Sequence, residues 1–309
     1  MCIFDKQINA MQTYTLLIKD ISKSHTQTIA VCKALVNQYI AEPNTKIIID
    51  FSDCNFIYPD YAILLLCSIK HIENLGIEVK GTIKLDTNKE IVSYLAKMNF
   101  FENLNIELPI SIPKINPHNS VQIQKYTSEN QTEVLNSILK VLKEKSSLDD
   151  NVYASLDYCF NEILDNVLNH TDEKVGWVVA QYFENINSIR LIVCDFGMGI
   201  HASLNQKYSF TEEEAISKCI ESGVTNGKGQ GHGLFATASF VRLNKGWLSL
   251  FSGNKKLNVS EKGSIVKNID GWQGTCVYIR INTNVSVDYT EFTSPFYDYK
   301  KQVFENLFE

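Results

Sequence analysis

The sequence predicts a two-domain α/β protein, and three observations carry that expectation. The first is size: 309 residues and 35.1 kDa exceed what one hydrophobic core usually serves. The second is periodicity, because apolar runs of strand length alternate with segments of helical apolar spacing. The third is an uneven use of turn residues. Thirteen of the 15 glycines follow residue 175, whereas five of the six prolines fall at or before Pro117. Between these regimes the polar, proline-rich stretch Ser111 to Ser120 reads as a linker. The expected division is a first domain over 1–110, a linker over 111–130, a second domain over 131–284 and a tail over 285–309.

In the first domain, Tyr14 to Ile18 and Lys46 to Phe51 are short apolar runs that predict strands, and Gly76 to Ile83 predicts a third. Ser24 to Ala41 and Tyr61 to Asn74 have helical spacing, and Ile91, Leu95 and Met98 mark a last helix from about Asn88. Such an alternation makes a small α/β layer domain. The second domain opens on an amphipathic segment, Val134 to Lys143. A longer helix follows from about Leu148 to Asn169, with Leu156, Phe160, Ile163, Leu164 and Val167 on one stripe. Trp177 to Phe183 and Ile189 to Cys194 read as neighbouring strands.

Composition narrows the function classes. Hydrophobic residues at 44 % and charged residues at 21 % exclude a disordered or fibrous chain. The formal charge is −6, there is no dense basic run, and Arg190, Arg242 and Arg280 are the only arginines, so a nucleic-acid partner is not expected. The eight cysteines form no CxxC pair and sit mostly in apolar periodic segments, which points to reduced core thiols and not to a zinc site. The N-terminus lacks the pattern of a signal peptide, and the longest uncharged apolar stretch, Tyr61 to Ile69, is far short of a membrane span. A cytoplasmic protein without membrane association is the expectation.

Three separated elements could carry chemistry. On the long helix, Glu162 and Asn166 are four residues apart and share a face beside the apolar stripe. A carboxylate there could orient a water, and an amide oxygen one turn later could hold magnesium. A solvated polar face is the plainer meaning of that pair taken alone. Directly after the strand ending at Cys194 comes Asp195-Phe-Gly197-Met-Gly199-Ile200. A strand-end acid can accept from an exocyclic amine while glycines admit a flat ring, although a capped turn would look the same. The third is Gly227-Lys228-Gly229-Gln-Gly231-His232-Gly233-Leu234, which runs into the apolar helical segment Phe235 to Val241. Successive amides at a helix start suit phosphates, and a flexible linker would seldom run straight into such a helix. The spacing is that of neither a P-loop nor a dinucleotide fingerprint.

The ordered set ExxxN on a helix, DxGxGI after a strand, GxGxGL before a helix, and Gly274-Thr275 before the strand Val277 to Ile281 resembles the GHKL ATPase superfamily. That group includes the ATPase subunit of DNA gyrase, a class of heat-shock chaperones, histidine kinases and anti-sigma-factor serine kinases. The resemblance covers about Leu148 to Asn282 and implies an α/β sandwich with helices on one face of a mixed sheet. It implies ATP and Mg2+ as ligands. Glu162 would be the base, Asn166 the magnesium ligand, and Asp195 the adenine contact, helped by Thr275. Gly197, Gly199, Gly229, Gly231 and Gly233 would line the pocket, with a mobile lid from His201 to Lys228. Asn169 stands where histidine kinases often carry lysine, so Lys228 would take over phosphate contact. His170 is similar to a histidine of the anti-sigma-factor kinases, though a helix-capping or packing role fits it equally. His232 would either touch phosphate or face solvent.

The N-terminal domain resembles the STAS fold of anti-sigma-factor antagonists. Ile47 to Phe51 would be its central strand and Phe56-Ile-Tyr58-Pro59-Asp60-Tyr61 the turn before a helix. Antagonists carry a phosphorylated serine in that turn, but Pro59 and Asp60 occupy the serine places here and lack a hydroxyl. The resemblances together imply a regulatory ATP-binding protein with a protein partner. Slow hydrolysis, serine/threonine kinase activity and nucleotide sensing without turnover all stay open. A homodimer and the packing of the aromatic tail beyond Ser286 stay open too.

Overall fold

A computed structural model describes residues 12–18, 24–84, 89–108, 119–145, 150–171, 174–227, 231–288, 290 and 292. It is an α/β protein with two sheets. Strands β1 (Thr13–Leu17), β2 (Lys46–Asp50) and β3 (Lys80–Lys84) form a parallel sheet in that order. Parallel neighbours need crossovers, and α1 (His25–Ala41) and α2 (Pro59–Asn74) supply them. Ser24 caps α1 by accepting from Gln27 N, and Ile29, Cys32, Leu35, Val36 and Tyr39 make its buried stripe. Pro59 starts α2, where its missing N–H would have had no helical partner. Every residue from Ala62 to Ile69 is buried, so α2 is covered over most of its circumference. Helices α3 (Lys89–Lys97) and α4 (Phe100–Asn103) complete this half.

The second sheet holds β4 (Ser120–Tyr126), β5 (Gly176–Phe183), β6 (Ser188–Cys194), β7 (Trp247–Ser260) and β8 (Gly263–Asn282) in the order β4-β5-β6-β8-β7. The expected mixed sheet is instead antiparallel at every pairing. Short reversals explain part of this: Glu184 to Asn187 joins β5 to β6, and Glu261-Lys262 joins β7 to β8. β4 also corrects the expected linker over 111–130, whose second half contains this strand. The proline signal ends at Pro117, and Tyr126, fully buried, donates through its hydroxyl to Leu164 O at 3.3 Å. Residues 109–118 of the linker lie outside the described residues.

Alternation decides how this sheet packs. Val178, Ala180, Leu191, Val193, Val277 and Ile279 face one core, which α5 (Gln131–Lys145), α6 (Asp150–His170) and α9 (Gly233–Leu243) cover. Trp177, Val179, Ile192, Cys194, Cys276 and Tyr278 face a second core with α1, α2 and the parallel sheet. α1 lies on β8, and α2 on β5 and β6. Helices on one face alone were expected for this sheet; both faces are covered, because both sets of alternating residues are apolar. The layers therefore run parallel sheet, α1 and α2, antiparallel sheet, then α5, α6 and α9.

Val287 and Phe292 of the expected tail are buried in the first core, and the Phe292 ring lies 6.0 Å from that of Phe240. The tail aromatics Tyr289, Phe296, Tyr297, Tyr299, Phe304 and Phe308 lie outside the described residues. Seven cysteines are described, all buried and unbridged. Among the described residues no helix is long and apolar enough to cross a membrane, and no group of side chains is arranged to hold a metal through three or more His, Cys, Asp or Glu.

One polar cluster joins the two halves. Asp60, at the start of α2 and 2 % exposed, takes a hydrogen bond from His25 Nε2 at 2.8 Å. Arg190 Nη1 of β6 stands 3.9 Å from its other oxygen, an ion pair beyond hydrogen-bond length. The same guanidinium lies over the Tyr58 ring at 4.0 Å. Removing one partner of a buried charge pair leaves the other uncompensated, which costs about 3–5 kcal/mol. Asp60→Ala should therefore destabilise the chain by an amount of that order in denaturant unfolding. A loss below about 1 kcal/mol would show the cluster to be incidental.

Candidate functional site

The three motifs meet in one cleft at the end of the antiparallel sheet. It is lined by Glu162, Asn166, Asn169 and His170 of α6, Asp195 after β6, Gly199 at the start of α7 (Gly199–Leu204), Gly231, Gly233 at the start of α9, and Thr275 of β8. The space between these walls is about 950 Å³ when the open mouth is counted. Residues as far apart in sequence as Glu162 and Thr275 thus share one wall.

Asp195 anchors the cleft. It is 2 % exposed, and its Oδ1 accepts from Gly197 N at 2.7 Å and Thr275 N at 3.0 Å. Burial pushes its pKa up to about 7, against the two amides, which act downward. The neighbouring backbone leaves no slack: Gly274 has φ +81°, and a Cβ there would stand 2.5 Å from Asp195 Oδ1. Ser252 Oγ adds support by accepting from Ile200 N and donating to Gly274 O, both at 2.9 Å.

Glu162 faces the cleft half-buried. Burial first, and the Asp165 carboxylate second, hold it above the usual carboxylate range, while a hydrogen bond with Tyr158 acts the other way. α9 starts against it, because a Cβ on Gly233 would meet Glu162 Oε2 at 2.5 Å and Glu162 Cβ at 2.9 Å. Only glycine admits this approach of α9 to α6. His232 is the N-cap of α9 and makes no side-chain cap hydrogen bond, and the first turn of the helix borders the cleft at Gly233 and Leu234.

Of the expected site residues, Glu162, Asn166, Asp195, Gly199, Gly231, Gly233 and Thr275 are brought together. Gly197 is not on this wall; it backs Asp195 with its amide and lines a groove on the other side. Lys228 and Gly229 lie outside the described residues. His170 ends α6 and shares Nδ1 with Ser203 Oγ at 3.1 Å, so it joins the cleft as a positioning group. His232 Nδ1 lies 3.4 Å from Ser222 Oγ. The segment expected as a lid contains α8 (Glu212–Lys218), capped by Thr211 and Glu214, with Ala215 and Ile216 buried. The sequence reading missed Ser203, Asn226 and Ser252. Ser252 alone leaves a trace, as a hydroxyl closing the apolar run from Leu248.

No known family model matches the chain, and no curated protein matches it.

The raised pKa of Asp195 has a consequence for stability. A carboxyl whose folded pKa lies above its unfolded value favours folding at low pH, and that contribution is lost as pH rises toward about 7. Asp195→Asn keeps an acceptor for the two amides and removes the buried charge. Its Tm should exceed that of the parent at pH 8, and by less at pH 5. A lower Tm at pH 8 would show the carboxylate to be stabilising in place.

Proposed function

We propose that the chain is a regulatory ATP-binding protein, with a GHKL-like nucleotide domain and a STAS-like N-terminal domain, in which Mg-ATP binding with slow hydrolysis controls a protein partner. The observation that carries this reading is the meeting in one cleft of Glu162, Asn166, Asp195, Gly233 and Thr275, which come from four separate motifs. In this reading Asp195 accepts from the adenine amine, for which a buried carboxylate suits better than an exposed one. The N-terminal turn of α9, which borders the cleft, receives phosphate, favoured by the helix dipole.

The donor set also suits magnesium, since Asn166 presents an amide one turn from a carboxylate on the same helix face. Asn166 would hold the ion, which neutralises phosphate charge when bound. Glu162 then takes a proton from a water as that water's oxygen attacks the terminal phosphorus, and ADP leaves with the electron pair of the broken P–O bond. Its raised pKa makes it a stronger base at neutral pH. The STAS-like turn supports an interaction role and not a substrate role. Pro59 and Asp60 offer no hydroxyl, and Asp60 is buried against β6.

Two measurements test the reading. Because the carboxylate form of Asp195 is the acceptor, ATP affinity should fall roughly tenfold from pH 8 to pH 6. Calorimetry giving equal affinity at both values would remove Asp195 from the adenine contact, and Asp195→Asn should flatten whatever slope exists. Glu162→Ala should cut turnover by roughly 10²–10⁴ with ATP affinity retained, because a base acts in the transition state. Asn166→Ala should instead weaken magnesium-dependent binding. Phosphate release without a partner supports the ATPase, transfer to a co-incubated protein supports the kinase, and binding with neither supports a nucleotide sensor. Absence of ATP binding would end the reading.

A further inference from the structure

A second groove lies behind the loop that follows Asp195. Its walls come from α1, α2, the Phe196-Gly197-Met198 loop and β8, and it encloses about 1500 Å³ with its mouth included. Interfaces between layers are common places for small-molecule sites. Three large apolar side chains that are exposed on the surface, Ile40, Leu75 and Met198, line this one groove. Such clustering marks a binding surface more than a scatter of surface apolar groups does.

Its electrostatics are one-sided. Lys33 is the one charged side chain among the described residues that line it, and no described carboxylate pairs with it. The side chain runs from α1 toward β8, where its Cε would be 3.7 Å from a Cβ on Gly271. Beside it the His71 imidazole stacks on the Phe196 ring, with centroids 5.4 Å apart. Burial first and the Lys33 charge second hold that imidazole below its usual range, so it is neutral near pH 7. The wall also contains Trp272 Nε1 and Thr171 Oγ1, both buried without a hydrogen-bond partner. A flat apolar body with one acidic group matches this set: apolar rim, stacked rings and a single unpaired cation.

We propose that this groove binds a small aromatic carboxylic acid, its ring among Ile40, Leu75 and Met198 and its carboxylate at Lys33. The ligand would act on the nucleotide cleft through a shared turn. Gln273 Nε2 donates to Gly197 O at 2.8 Å, and Gly197 N donates in turn to Asp195 Oδ1. A ligand packed on Phe196 and Gln273 fixes Gly197 and, with it, the Asp195 carboxylate, which raises affinity for ATP. The coupling rests on the ATP reading; the binding does not.

Calorimetric titration of the full chain with 2-naphthoate, without nucleotide, is expected to give one site per chain. Lys33→Gln should weaken it about tenfold, the loss of one charge-assisted contact. Ile40→Trp, at an exposed position, should block the mouth, whereas Ile186→Trp, exposed elsewhere, should leave binding unchanged. The uncharged 2-naphthylmethanol should bind at least tenfold more weakly. No binding at millimolar naphthoate, or binding that survives both Lys33→Gln and Ile40→Trp, overturns the site. Equal binding of the alcohol overturns the preference for an acid. Mg-ATP titration with the groove saturated then reads the coupling, and an unchanged ATP affinity overturns that coupling while leaving the site. A chain that binds naphthoate but no ATP overturns the nucleotide reading alone.

Discussion

Burying both faces of the antiparallel sheet is the constraint on which the rest of the molecule depends. Alternation along β5, β6 and β8 puts apolar side chains on each side, so water must be excluded from each. α5, α6 and α9 meet that need on one face, and α1 and α2 meet it on the other. The N-terminal half therefore serves as the second wall of the central sheet. Buried apolar area contributes roughly 25 cal/mol per Å², so losing that wall would expose large side chains such as Trp177, Phe251 and Tyr278 at considerable cost.

The same packing sets the electrostatics at the sheet's end. Asp195 leaves β6 where both cores close, next to the buried thiols of Cys194 and Cys276, whose Sγ atoms are 3.4 Å apart. A carboxyl in such surroundings would favour its neutral form, and only two backbone amides favour the charge. The fold tolerates this because Gly274 and Ser252 hold the amides in place. A buried charge that weakens the fold and serves no packing need is the pattern expected of a binding group.

Much of this was legible in the sequence, and the parts that were not share a cause. Strand and helix periods located β1, β2, α1, α2, β5 and β6 to within a few residues, because each is a strong local pattern. The spacing of Glu162 and Asn166 gave a helix face, and three glycine-bearing motifs gave loops that do meet it. β4 was hidden because Val121, Ile123 and Tyr126 split between the two cores and are interrupted by a bulge near Val121 and Gln124, which breaks the alternation. The covering of the second sheet face was hidden because it depends on contacts between distant segments. Gly197 was assigned to the wrong wall because a motif gives order along the chain and not the side toward which each residue turns.

Any message between the N-terminal half and the cleft has two physical routes, and they are not equal. One runs along β6, from the Asp60 and Arg190 pair to Asp195. That strand is registered with β5 and β8 at seven positions on each side, so it has one arrangement and little freedom to adopt another. Coupling between sites needs an element with two arrangements that both sites bias. The turn from Phe196 to Met198 is the better element. It belongs to no strand, it touches α2 through His71, and its central amide bonds Asp195. In a fold whose sheet is fixed by cores on both faces, the loop at the sheet's end is where the N-terminal half can still change the cleft.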